Sequence, residues 1–256
     1  MNSNLRSATA SSLFLLCSAC AVQEDEPVIP VAELWSRADQ ALLDDRKARA
    51  LALADRAVKA EPSARGHVRR GMMRFQLAEV NTSIADFDRA VELEPSSEPY
   101  LWQRGISQYY AGMFRQGREQ FESHRKVNGD DVENSAWHFL CAARELSPAQ
   151  AQARFLRIET SVDGTFPDRR VPMQQIYELF AGTGDEARVL EATVRHGGRA
   201  RFYAQLYIGL HHEAFGRNQQ AREHLDKAAE LSEAGGYMGS VALVHVQRLS
   251  DENRRD

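Results

Sequence analysis

The side chains with chemistry to offer in this chain are its histidines, carboxylates and cysteines, and their spacing limits what they can do together. His211-His212-Glu213 places metal-capable groups side by side, yet neighbours on a helix point about 100° apart and reach one ion only with partners from elsewhere. A solvated or packed histidine pair is the expectation, with no bound metal. Gly182-Thr183-Gly184-Asp185 lacks the strand-to-helix context and the lysine of a phosphate loop, so it reads as a turn between helices. Asp44-Asp45 and Asp130-Asp131 sit in charged surroundings and read as solvated turns or helix starts. The eight histidines include no HExxH and the serines no GxSxG. Cys141 lies in the apolar helical run Trp137 to Ala143, the setting of a buried, inert thiol. No catalytic residue, cofactor or metal is expected, and the chain reads as a non-enzyme.

Composition excludes a further class. The 256 residues carry a formal net charge of -4, whereas binding nucleic acid takes a clustered excess of Lys and Arg. An apolar fraction of 43% with 27% charged residues suits a folded chain with a sizeable core.

The first twenty residues differ from the rest. A polar start with Arg6 as its one basic residue precedes the apolar stretch Ala8 to Leu16, which is shorter than the roughly 20 residues a membrane-spanning helix needs. Such a stretch closing on small residues reads as a secretory signal over residues 1–19. It ends at Cys17-Ser18-Ala19-Cys20, which resembles the lipobox of bacterial lipoproteins and makes Cys20 the expected lipidation site. Residues 20–30 have the acidic, Pro-containing composition of a tether. The alternative is a soluble chain whose N-terminus is disordered.

The elements that position everything else follow from a repeat. Gly71 and Gly105 lie 34 residues apart, as do Phe87 and Phe121, while Ala57 and Ala90, and Pro62 and Pro95, lie 33 apart. This pattern resembles the tetratricopeptide repeat. Its physical content is a pair of antiparallel helices: a small residue on the first lets the second approach, a large apolar residue on the second fills the groove, and a proline ends it. Three units are expected over 31–129, two irregular helix pairs over 130–200 that keep the stacking, and a further unit with a capping helix from Met238 to Leu249 over 201–250. Ser147-Pro148 marks a helix start that continues through Ile158, and Glu159 to Arg170 reads as a loop. The expected fold is all-α, a tetratricopeptide-repeat superhelix.

The lipobox cysteine, the tether, three adjacent repeats, an irregular middle with Trp137 and Tyr177 to Gly182, and Phe202 to Gly209 with Gly216 and Ala221 together resemble the NlpI family of outer-membrane lipoproteins. The resemblance implies a dimeric adaptor that binds peptidoglycan hydrolases and a partner protease without cutting anything itself. Ala21 after the modified cysteine, in place of Asp, would favour the outer membrane. An enzyme with an unrecognised site is the remaining alternative.

Protein or peptide ligands of such a superhelix sit in the concave groove lined by first helices. Counting from the aligned glycines, inward positions fall at Trp35 and Asp39, then at Arg65, Met72 and Gln76, then at Trp102, Ile106, Tyr109 and Tyr110. Trp35 and Ile106 fit core as well as surface. Tyr109 and Tyr110 are adjacent on a helix and cannot both face one interior, so at least one ring should be partly exposed. The partner-binding residues expected are therefore Arg65, Met72, Gln76, Trp102, Tyr109 and Tyr110.

Overall fold

A computed structural model describes residues 29–252 and Arg254. Cys20, the expected signal and most of the expected tether lie outside the described residues. Helices follow in antiparallel pairs: α1 (Val31–Leu43) with α2 (Lys47–Ala60), α3 (Ala64–Gln76) with α4 (Val80–Leu93), and α5 (Trp102–Tyr110) with α6 (Phe114–His124). Then come α7 (Val132–Glu145) with α8 (Pro148–Ala153), α9 (Met173–Ala181) with α10 (Glu186–Thr193), and α11 (Gly198–Ala214) with α12 (Asn218–Glu230). A final helix, α13 (Tyr237–Glu252), is unpaired, and no strand occurs among the described residues.

Local chemistry starts and stops these helices. Ser63 caps α3 by accepting from the Gly66 N–H at 3.1 Å, and Ser147, ahead of Pro148, caps α8. Asp131 caps α7 and Asp185 caps α10. Gly182 ends α9 in the left-handed conformation at φ 75°, so the glycine-rich segment there is the turn its sequence suggests.

Within the repeats, first and second helices meet at residues sixteen apart: Gly71 on Phe87, Gly105 on Phe121 and Gly209 on Leu225. A Cβ at Gly105 would stand 2.8 Å from the Phe121 ring, and one at Gly209 would stand 2.7 Å from Leu225. Ala38 and Ala54, also sixteen apart and fully buried, hold the corresponding places in the first pair. His124 replaces the alanine of the repeat pattern by hydrogen-bonding inward, its Nδ1 lying 2.7 Å from the Pro99 carbonyl.

The chain departs from regular stacking after residue 130. Helix α7 buries eleven residues, around its whole circumference, and packs on α5, α6, α8, α9 and α11. A helix buried on all sides, with Asn134, Ser135 and His138 as the polar members of a mostly apolar set, belongs at the centre of a core. The two irregular pairs therefore do not advance the superhelix by regular steps; α7 and α11 pack directly together. The helix expected to run through Ile158 instead ends at Ala153. Phe155, Leu156 and Ile158 are buried without it, because Phe155 packs on Tyr177 and the Ile158 N–H donates to the Tyr177 hydroxyl at 3.1 Å. The segment 159–172 contains no helix, and Arg170 near its end is pinned to Asp131, Glu133 and Asp168.

The largest departure concerns α13. It packs on α12, as a capping helix would, but it also reaches back to the first helices of the earlier repeats. Tyr237 stacks on Phe75 of α3 and meets Trp102 of α5 edge-on at 5.3 Å. Apolar rings left on α3 and α5 are thus covered by the chain's own C-terminal segment.

Candidate protein-binding groove

Six residues were expected to line the groove, and the structure separates them into two groups. Arg65 is exposed at the start of α3, and Met72 and Gln76 are half-buried further along the same helix. Met72 connects this helix to the next, its Sδ accepting from Gln103 Nε2 at 3.8 Å. Asp39 of α1 is half-buried and paired with Arg69 of α3, whose guanidinium also lies over the Trp35 ring. Trp35 and Ile106 are core residues, 8% and 0% exposed.

The second group is Trp102, Tyr109 and Tyr110, of which Tyr109 is buried and Trp102 and Tyr110 are partly exposed. Tyr109 is only 2% exposed and packs against Phe114 and Trp137, with its hydroxyl 3.4 Å from Glu213 of α11. Tyr110 is half-buried, its ring against Phe75 and its hydroxyl 2.9 Å from His245 Nδ1 of α13. The adjacent rings meet edge-on at 5.4 Å and both lie against Trp137, while α13 covers Tyr110 from the groove side. Burial pushes both phenols well above their ordinary pKa.

Glu213 anchors this closure. Its carboxylate, 9% exposed, contacts Tyr109, Arg144, His245 and Arg248. Burial works against its charge, but the His245 hydrogen bond and the Arg248 and Arg144 charges outweigh burial and hold its pKa at about 2.

Where α13 begins, a cavity of about 370 Å³ opens between α5, α7, α11 and Gly235 to Met238. Trp102, Trp137, Tyr203 and Tyr237 give it aromatic walls, with Arg170 and Arg199 among its charged lining. Asn134 Oδ1, Trp137 Nε1 and the Tyr237 hydroxyl are buried on its wall and have no hydrogen-bond partner among the described residues. Such groups are costly unless something pairs them. Sequence reasoning placed Trp102 here but missed Asn134, Tyr203 and Tyr237. Their helices are visible in the sequence; their convergence depends on the non-repeating path of residues 130–236.

Antiparallel helix pairs with small-on-large contacts sixteen residues apart define a helical-repeat fold of the tetratricopeptide type, the architecture of protein-binding scaffolds. No family model matches the chain. Among curated proteins, the chain is similar to the Protein SGT1 homolog of Bos taurus, 26% identical over 116 residues, or 45% of this chain. That match spans 34% of the relative's length, so the chain covers about a third of it. Among solved structures, MamA residues 41 to the end from Desulfovibrio magneticus RS-1 superposes with a TM-score of 0.47 at 10% identity, covering 80% of this chain and 96% of that one. An RS-1 MamA ArsTM double mutant gives the same TM-score and identity, covering 80% and 95%.

Proposed function

We propose that this chain is a non-enzymatic adaptor, anchored to a membrane through Cys20, that holds protein or peptide segments against the first helices of its N-terminal repeats. The observation that carries this reading is the contrast along the groove. Over α5 the aromatic residues are already covered by α13, whereas Arg65, Met72 and Gln76 on α3 remain accessible. A long, mostly preformed face with a flexible methionine among polar side chains suits a protein ligand. A ligand side chain that reaches the adjacent cavity would meet its aromatic walls, Trp102, Trp137, Tyr203 and Tyr237.

The cell envelope as location, the outer membrane as its side, peptidoglycan hydrolases and a protease as the partner class, and a homodimer as the assembly rest on the lipobox-like Cys17 to Cys20 and on the resemblance to the NlpI family. Multiple acyl chains on one cysteine hold a protein firmly, where a single chain holds it marginally. Membrane fractionation of cells expressing wild type and Cys20→Ser tests the anchor. Release of the variant is expected; equal membrane retention of both would remove the anchored part of the proposal and leave a soluble scaffold.

A further inference from the structure

His212 does find the partners that its sequence neighbours could not provide. Its Nε2 lies 2.8 Å from Glu186 Oε2, and His224 Nε2 lies 3.0 Å from Glu186 Oε1. Three separate helices contribute: Glu186 from the first turn of α10, His212 from α11 and His224 from α12. Both imidazoles are buried, at 7% and 8% exposure, and their rings stack 5.7 Å apart around the carboxylate. One ligand atom from each residue lies within 4.8 Å of the others.

We propose that Glu186, His212 and His224 form a binding site for a first-row divalent transition ion, zinc foremost, that ties α10 to the α11–α12 hairpin. Two imidazoles and one carboxylate are a donor set used by zinc with water in the fourth position, whereas magnesium and calcium take oxygen ligands almost exclusively. Zinc bonds of about 2.0–2.1 Å place tetrahedral ligand atoms about 3.4 Å apart. The two imidazoles meet different Glu186 oxygens at 2.8 and 3.0 Å, and one ligand atom from each residue lies within 4.8 Å of the others, so small side-chain adjustments bring all three to that spacing.

The orientation of His224 supports a metal over a simple ion pair. Its Nδ1 lies 2.7 Å from the Gln205 side-chain oxygen. That oxygen accepts a hydrogen bond from Nδ1–H, leaving Nε2 to face Glu186, as metal-ligating histidines are held by a carbonyl on their other nitrogen. A neutral ring so placed turns a lone pair toward carboxylate lone pairs. Two protonated rings would instead stack like charges around one carboxylate in a buried site. A single cation among Glu186, His212 and His224 satisfies all the facing lone pairs. Its open coordination position would be reached from the cleft of about 640 Å³ beside it, which Glu186 and His212 line together with His211, Phe215 and Arg217.

The test uses the full chain, freed of any affinity tag and stripped with a chelator. Zinc is titrated calorimetrically, and cobalt(II) is followed by visible absorption. One ion per chain with intense tetrahedral cobalt bands is expected. His212→Ala, His224→Ala and Glu186→Gln should each weaken zinc binding by tenfold or more and abolish the bands. Gln205→Leu should weaken it by about 10- to 100-fold, and His211→Ala should change it less than twofold. No binding by wild type, or wild-type affinity in the ligand variants, would overturn the site. Should the histidine variants misfold by circular dichroism, Glu186→Gln decides alone, because its side chain is 37% exposed and not needed in the core.

Discussion

The Tyr110 hydroxyl lies 2.9 Å from Nδ1 of His245, a residue 135 positions later in the chain and itself fully buried. This contact joins the third repeat to the C-terminal helix and makes α13 part of the groove wall. Arg248 of the same helix lies over the Tyr110 ring and pairs with Glu213. Tyr110→Phe keeps the ring and removes the hydroxyl, leaving a buried imidazole nitrogen unpaired, and should cost about 1–3 kcal/mol. A double-mutant cycle with His245→Phe in denaturant titrations should give a coupling of at least about 0.5 kcal/mol, as for residues in contact. Additive effects would show that α13 does not rest on α5 in solution.

The Gly105 and Phe121 contact predicts a penalty of the opposite geometric kind. Gly105→Ala places a methyl 2.8 Å from a fully packed ring and should destabilise by about 1–3 kcal/mol, the range for overpacking. Phe121→Leu in the same chain should recover part of that loss. Phe87→Ala, at the equivalent place one repeat earlier and 0% exposed, should cost about 3–5 kcal/mol through the cavity it leaves. Chemical denaturation of the three variants checks both signs.

A pH dependence follows from Glu122. Burial pushes its carboxyl up, but hydrogen bonds from His138 and Arg118 more than offset this and hold its pKa below the ordinary 4.5. A carboxylate with a depressed folded pKa stabilises above the unfolded value and loses that contribution as pH falls through the folded one. Glu122→Gln should therefore be less stable than wild type at pH 7, and the difference should begin to shrink as pH falls past about 4.5 and be gone only below the depressed folded value. Because the side chain is 45% exposed, the pH 7 difference should be modest, on the order of 0.5 kcal/mol. Melting temperatures of both proteins across this range measure it.

The legible part of the fold was the part built from local, repeating contacts. Gly71, Phe87, Gly105 and Phe121 carry the period themselves, because Gly71 packs on Phe87 and Gly105 on Phe121, about half a repeat away. Cys141 was legible for a similar reason, lying in an apolar run; it is fully buried, and burial pushes its thiol well above the ordinary value. What stayed hidden depends on long-range geometry. Nothing near Tyr110 in sequence announces His245, and nothing near His212 announces Glu186 or His224. Phe155, Leu156 and Ile158 kept a helical apolar spacing while packing as non-helical chain, since burial of these three side chains satisfies that pattern without a helix.

The groove itself offers the most direct measurement. A photoreactive amino acid replacing Met72 on α3, and separately Arg89 on the exposed side of α4, is illuminated in native membranes. Cross-links to a protein partner should form from position 72 and disappear when Arg65→Ala and Gln76→Ala are added, while circular dichroism and melting temperature stay near wild type. Position 89 should give few. Equal cross-linking from both positions, or cross-links from position 72 that persist undiminished in the Arg65→Ala, Gln76→Ala background, would contradict a scaffold that binds its partners along the first helices.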